Sequence, residues 1–452
     1  MPLSGSPESR EKSDFSPVLI ACCLAVLSVG INSTAIMAAL PAMTGDLHLG
    51  PAEVEWVVNA YLLTAAIFIV PGGDAADQFG ARYSSIAGVA LFALASLIIA
   101  TAPAGFVVVG GRALQGLGGA FAVAGTLAAV TEAAPESRRA EAIGAWTGFL
   151  MLGFSIGPLL GGVITHYAGW RFIFLLNVIA MIPAGLTLLL HPGSRGHRTK
   201  SMDWIELGVL AFFMVTLISG LQALARVHST PQTAIVALAL AVIALGALIR
   251  IELKHRRPLV DFGLFANRNF AVASGLVFLL MFDIMTLLLY YNLFAQSSGG
   301  LGISAVAAGL SLVPLSIALF GFARAAPRLG TAIGLRRMLI VGSLLLALGC
   351  AIAWASLQMD ARFEMLMLGL FVAGAGIALP YASAPRVGLA TLPPTQAGKG
   401  SGMLNSCSFL GGTVGVTCGG IVFKLAGFPG VLGLLGLSAL IGAALCLRLR
   451  SE

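Results

Sequence analysis

GGDAADQFGARY, residues 72–83, is a short charged turn between two long apolar runs, and a similar one, GFARAAPRLGTAIGLRR, occupies residues 321–337. Each is a glycine followed by a charged segment with a basic end. A second pair repeats in the same way. GFSIGPLLGG at residues 153–162 and LGGTVGVTCGG at residues 410–420 carry glycines at matching four-residue steps. Whether these are two copies of one unit depends on how many apolar segments separate them.

The chain has 452 residues, 58% of them hydrophobic and only 10% charged, with 56 glycines. Its mean hydropathy is +0.96, the composition of a polytopic membrane protein. A span needs about twenty apolar residues. That window centres helices near Leu27, Leu63, Leu91, Ala120, Leu152, Ile179, Met214, Ala241, Leu280, Val313, Leu345, Phe371, Gly412 and Leu437, fourteen in all. Cytoplasmic loops are rich in Lys and Arg, so a correct count should split them unevenly. One set of alternate loops holds only Arg171, Arg226, Arg362 and Lys424 of the 26 Lys and Arg; apart from Arg112, all the others fall in the opposite set. One helix missed or invented would erase that asymmetry, so both termini are placed in the cytoplasm. The net charge of +7 is this bias, and it implies contact with anionic lipid rather than nucleic acid.

Both repeat pairs are then eight helices apart. This gives an all-α chain of two parallel six-helix bundles, residues 1–190 and 269–452, with a two-helix segment at 191–268 between them. The basic stretches at 191–200 and 253–268 flank the insertion as its cytoplasmic linkers. Helices 7 and 8 carry charged residues, such as Asp203, Glu206 and Arg226, only near their ends, which suggests no part in transport. The sixteen polar N-terminal residues precede an apolar run too long for a signal-peptide core, so the first helix is expected to remain as an anchor. All six cysteines lie in apolar runs and act as small hydrophobes, not as disulfides or metal ligands. With no metal cluster, nucleophile constellation or Gly-Lys-Ser/Thr loop, neither a cofactor nor an enzymatic activity is expected, and a monomer is expected.

The turn Gly73-Asp74-Ala75-Ala76-Asp77-Gln78-Phe79-Gly80-Ala81-Arg82 resembles the signature between helices 2 and 3 of the major facilitator superfamily. Gly111-Arg112-Ala113-Leu114-Gln115-Gly116-Leu117-Gly118 in helix 4 is similar to its Arg-x-x-Gln-Gly-x-Gly motif, and residues 153–162 to its antiporter motif. Ala39-Leu40-Pro41, Trp56 with Asn59 and Tyr61, and Trp170-Arg171 through Asn177 narrow the resemblance to the fourteen-helix drug:proton antiporter branch. It covers nearly the whole chain. It implies alternating access, with Asp77, Gly80 and Arg82 latching the inner gate, Gly157 and Pro158 in a gating helix at the seam between halves, and Arg112 taking part in proton coupling. The chain departs from the pattern where Gln78 and Ala81 replace basic residues. It departs again at Asn32, where relatives that export cations have Asp, and an amide cannot titrate.

Arg112 lies about two turns inside helix 4 with Gln115 on the same face. A guanidinium in lipid needs acceptors, so it should face the interior. Asp283 is the only charged residue between Arg268 and Arg324. At about 1.5 Å per residue it lies roughly 20 Å into helix 9, near the bilayer midplane. It is either a proton site lining the central cavity, with Tyr290, Tyr291 and Asn292 further out, or a structural charge paired with Arg112 or another group. A proton-coupled exporter of amphipathic small molecules is the first reading. An uptake symporter or facilitator for one metabolite is the alternative, with a polar cavity built from Asn32, Thr34, Asn59, Tyr61, Arg112, Gln115 and Asn405.

Overall fold

The computed structural model describes residues 7–190, 204–224, 231–254, 261–358, 363–393 and 396–449. The basic stretch 191–200, most of its counterpart before Asp261, and Asp203, Arg226, Arg362 and Arg450 lie outside the described residues. Twelve helical segments come first: α1 (Pro7–Leu47), α2 (Pro51–Phe79), α3 (Ala81–Ala100), α4 (Gly105–Ala133), α5 (Arg139–Ala168), α6 (Arg171–Leu190), α7 (Trp204–Leu224), α8 (Pro231–Lys254), α9 (Arg268–Gln296), α10 (Ala305–Ile333, with a break at Leu312), α11 (Leu335–Gln358) and α12 (Phe363–Ala390).

The last stretch, Ala397–Cys446, is 50 residues long and leaves helical geometry at Gly427, with φ 62° and ψ −163°. Unbroken, it would be about 75 Å long, over twice the hydrocarbon thickness. The chain reverses there. A Cβ on Gly430 would lie 3.1 Å from the Val422 side chain, eight residues earlier, whereas a straight helix would separate them by about 12 Å. Gly411 and Gly442 also both face the same level of α9, at Phe278 and at Leu276 and Leu279. The segment is therefore two crossings, α13 (397–426) and α14 (428–446). Thirteen stretches are long and apolar enough to span, and dividing the last gives fourteen.

The backbone repeats with the sequence. Gly80 between α2 and α3 has φ 96° and ψ 143°, and Gly334 between α10 and α11 has φ 85° and ψ 139°. Gly169 between α5 and α6 has φ 84°, matching Gly427 between α13 and α14. These turns need a conformation that side chains with a Cβ resist. The glycine stripes repeat too. Gly153, Gly157 and Gly161 of α5 lie against the α1 backbone around Gly30, Ile31, Thr34 and Ala35, while Gly411 and Gly415 of α13 lie against Phe278 and Phe282 of α9. In lipid no hydrophobic drive brings helices together, so backbone-to-backbone closeness of this kind supplies the packing.

That corrects the expected place of Gly157. It packs α5 onto α1 inside the first half, and the face one residue on meets the other half: the Pro158 carbonyl and Leu159 approach Gly309, and Gly162 approaches Ala305. The inserted pair forms a hairpin on the outside. Leu207, Leu210, Met214 and Ile218 of α7 cluster with Leu63, Ala66 and Ile67 of α2, and Phe409, Leu410 and Val414 of α13 pack against the same cluster. Helix α7 thus covers the line where α2 and α13 meet.

Candidate functional site

The seam between halves is closed at the end away from the Asp77 turn. There Glu55 of α2 lies 3.6 Å from the Lys424 ammonium of α13, and Gln296 of α9 donates to the Ala38 carbonyl of α1 at 3.0 Å. Nearer the middle, Asn59 donates to the Thr417 hydroxyl at 2.9 Å, and Ser316 of α10 donates to the Ser155 carbonyl of α5. Helices α2 and α13 stay together towards the charged end, where Ser406 donates to the Ala66 carbonyl at 3.1 Å. Helix α5 parts from α10 there: Gly144 and Gly148, on the face that carries Ser155, would meet nothing within 4 Å of an added Cβ.

Where they begin to part, a cavity of about 50 Å³ is lined by Met151, Phe154 and Ser155 of α5, Met281, Ile284 and Met285 of α9, Leu319 and Ala323 of α10, and Ile377, Ala378, Tyr381 and Ala382 of α12. Three methionines supply a soft, re-packable wall. The only side-chain polar groups are two hydroxyls. That of Ser155 is turned back onto the Met151 carbonyl at 3.0 Å, and that of Tyr381 meets Ser408 at 3.5 Å.

None of the sequence-chosen polar residues lines this cavity. Asn32, Tyr61, Arg112 and Gln115 form one buried network in the core of the first half. Arg112, fully buried, donates from Nε to the Val57 carbonyl at 2.9 Å and from Nη1 to Gln115 Oε1 at 2.6 Å. Its guanidinium stacks 4.2 Å over the Tyr61 ring, a favourable cation–π geometry. Gln115 Nε2 donates to Ser96 at 2.7 Å and to Asn32 Oδ1 at 3.3 Å, and Asn177 donates to the same oxygen at 2.9 Å. The Ser33 hydroxyl donates to that of Tyr61 at 3.0 Å. Arg112 Nη2 and Asn32 Nδ2 have no partner.

The remaining candidates are also turned to neighbouring protein groups, Asn405 being only partly buried. Thr34 donates to the Phe154 carbonyl at 3.2 Å, Tyr290 to the Val416 carbonyl at 2.6 Å, Asn292 to its own helix at Leu288 at 2.8 Å, and Asn405 to Ser401 at 3.0 Å. The hydroxyls of Tyr291 and Ser311 bond to each other. A polar side chain in lipid is cheapest when it satisfies a neighbouring backbone, so polarity alone does not mark a cavity wall.

Asp283 requires a correction. It lies two positions from Met281 on α9 and points away from the cavity, into the second half, where Cys350 of α11 and Ser438 of α14 are its neighbours. It is 1% exposed, and neither oxygen makes a well-formed hydrogen bond. Arg112 is in the other half, so the two are not paired. In the charged turn, Gly80 provides the bend. Arg82 does not pair with Asp77: it donates to the Leu188 carbonyl at 2.9 Å and to that of Leu189, capping α6, while Asp77 is exposed.

Glu55 and the three methionines were missed. Glu55 stands one residue before the Trp56 motif, and the approach of Lys424, far away in sequence, gives it meaning. The methionines looked like any other apolar residue.

A family model described as Major Facilitator Superfamily matches residues 22–330 and 273–452. The tetracenomycin C resistance and export protein of Streptomyces glaucescens is 29% identical over 92% of this chain and 77% of its own length. The methylenomycin A resistance protein of Bacillus subtilis is 31% identical over 69% of this chain and 67% of its own. Among solved structures, a D-xylose–proton symporter superposes with a TM-score of 0.70 over 96% of this chain and 98% of its own, at 16% identity. At that identity the likeness speaks for the fold.

Proposed function

This chain belongs to the major facilitator superfamily of membrane transporters, and from that premise we propose that it exports amphipathic small molecules of the drug and antibiotic class in exchange for protons. The observation that carries the proposal is the cavity lining. A wall of methionine, aliphatic and aromatic side chains, whose two hydroxyls are turned to Met151 and Ser408, favours apolar over hydrophilic compounds and can re-pack around them. A metabolite site would present several convergent polar groups, and apart from those two hydroxyls none of this chain's lines the cavity. The resistance and export proteins named above support the same reading.

The two halves, residues 1–190 and 269–452, move as units about the seam, and the segment 191–268 joins them. The charged end faces the cytoplasm, both termini lie there, and the membrane is a bacterial plasma membrane. The parted α5 and α10 then make this an inward-facing conformation. Asp77 and Arg82 are without their latch because that gate is open. Gly157 fixes α5 to α1, and Pro158 shapes the face that closes on α10.

Asp283 is the proton site. An ionised carboxylate without a cation at that depth costs several kcal/mol, so the packing around Cys350 and Ser438 holds the neutral acid. Releasing the proton requires α9 to shift against α11 and α14, and the same helix carries Met281 and Met285 on its cavity face. Arg112 supports coupling from the first half by organising the network around Gln115. The test is uptake into inside-out vesicles under an imposed proton gradient. Gradient-driven accumulation of several unrelated lipophilic compounds is expected, and transport of one hydrophilic metabolite alone would overturn the proposal.

A further inference from the structure

The network around Arg112 has more donors than acceptors. Its acceptors are the Val57 carbonyl and the Gln115 carbonyl oxygen, used by Arg112, the Asn32 carbonyl oxygen, used by both Gln115 and Asn177, the Ser96 hydroxyl, used by Gln115, and the Tyr61 hydroxyl, used by Ser33. The donors left over are Nη2 of Arg112 and Nδ2 of Asn32, both in side chains with no exposed surface. The orientation of the Asn32 amide is fixed, because turning it over would set its nitrogen against two other donors.

Charge is unbalanced in the same direction. Among the described residues no carboxylate approaches Arg112: Glu55, two residues before the Val57 that accepts from Arg112, faces Lys424, and Asp46 at the end of α1 accepts from Trp170 and Arg171. A guanidinium keeps its proton even when buried, so the positive charge is not removed by titration. A buried cation without a counter-charge, bridged by Gln115 to a residue with a second free donor, calls for negative charge.

We propose that the core of the first half binds a small monovalent anion of halide size, held by Nη2 of Arg112 and by the amide of Asn32. The anion supplies the counter-charge that a carboxylate at position 32 would supply. Binding is a property of the folded half and does not depend on which compounds the protein exports.

The test uses the purified full-length protein and compares thermal unfolding in sodium gluconate, chloride and bromide at fixed ionic strength, with no drug present. Chloride and bromide should raise the midpoint saturably, by about 3 °C or more at concentrations well above Kd, and gluconate should not. Asn32→Asp places a carboxylate one glutamine away from the guanidinium, so it should be as stable in gluconate as the original protein is in chloride and should lose the halide response. Arg112→Gln should also lose the response; should it fail to fold, Asn32→Asp decides alone. Equal midpoints in gluconate and halides would mean that water satisfies the donors and would overturn the proposal. A full halide response in Asn32→Asp would overturn it as well, by placing the anion elsewhere.

Discussion

Asp283→Asn separates two roles for the buried acid, and the structure fixes the expected size of its effect. Removing one partner of a buried ion pair costs about 3–5 kcal/mol because a charge is stranded. Among the described residues no cation faces Asp283; its neighbours are a thiol and a hydroxyl. Asparagine matches the neutral acid in shape and strands nothing, so the change in stability should stay within about 1 kcal/mol, a few degrees or less in midpoint. Transport should behave differently. A residue that cannot release a proton removes the exchange step, and gradient-driven export in inside-out vesicles should fall to the level seen without a gradient. Equilibrium binding of neutral compounds should persist, because the cavity is lined by the other face of α9. A midpoint lowered by the equivalent of 3 kcal/mol would reveal a cationic partner and refute the proton-site reasoning. A stable variant with full gradient-driven export would refute it too and send the search for coupling to Glu55 and Asp77.

Met285→Trp overfills the cavity at a cost of about 1–3 kcal/mol and should abolish export of bulky compounds at matched expression while sparing small ones, read as resistance profiles and vesicle uptake across a size series. Gly157→Val drives a side chain into Thr34 and the Ile31 carbonyl and should cost about 1–3 kcal/mol or more. Gly148→Val, which meets nothing within 4 Å, should leave the midpoint unchanged, and equal effects at the two sites would discount the α5–α1 contact. Glu55→Gln removes an ion pair whose lysine is partly exposed, worth up to about 1 kcal/mol. Spin-label distances across the outer seam should show the outward-open population rising by up to about fivefold, and an unchanged distribution would exclude a latch. For topology, a cysteine at Ser137 should be shielded from an impermeant thiol reagent in intact cells and one at Ser298 labelled, both positions being exposed; the reverse pattern would invert the assigned orientation.

The bundle was legible in the sequence because lipid leaves few alternatives: spans must be long and apolar, and charge must sort between the two faces. The fourteenth crossing was visible in the hydropathy even though the backbone passes through Gly427 with hardly a loop. The repeat was visible in the glycines, since a left-handed turn and a backbone contact both require that residue. The site was less legible, for one physical reason. Sequence shows that Asn59, Tyr290 or Asn405 is polar but not whether it points at a neighbouring protein group or at a ligand, and in this chain they found carbonyls and hydroxyls of neighbouring residues. Asp283 was singled out correctly as costly, yet its direction depends on a rotation of about 200° between it and Met281, which only the packing of α9 settles.

Helix α9 gives that rotation a mechanical meaning. Met281 and Met285 form part of the cavity wall, Gly411 and Gly415 of α13 are pressed against its backbone at Phe278 and Phe282, and Asp283 meets α11 and α14 on the far side. Backbone-to-backbone contact at Gly411 and Gly415 ties α13 to α9, so a displacement of α9 that relieves a change in charge at Asp283 would carry α13 with it. Helix α13 carries Lys424, Thr417 and Ser406 to α2, and α7 overlies that same line. A seam held along its length on one side and parted between α5 and α10 on the other opens like a hinge, with α2 and α13 as its pin. Proton release inside the second half would then act on the gate through α13, and the carboxyl would never need to touch the exported compound.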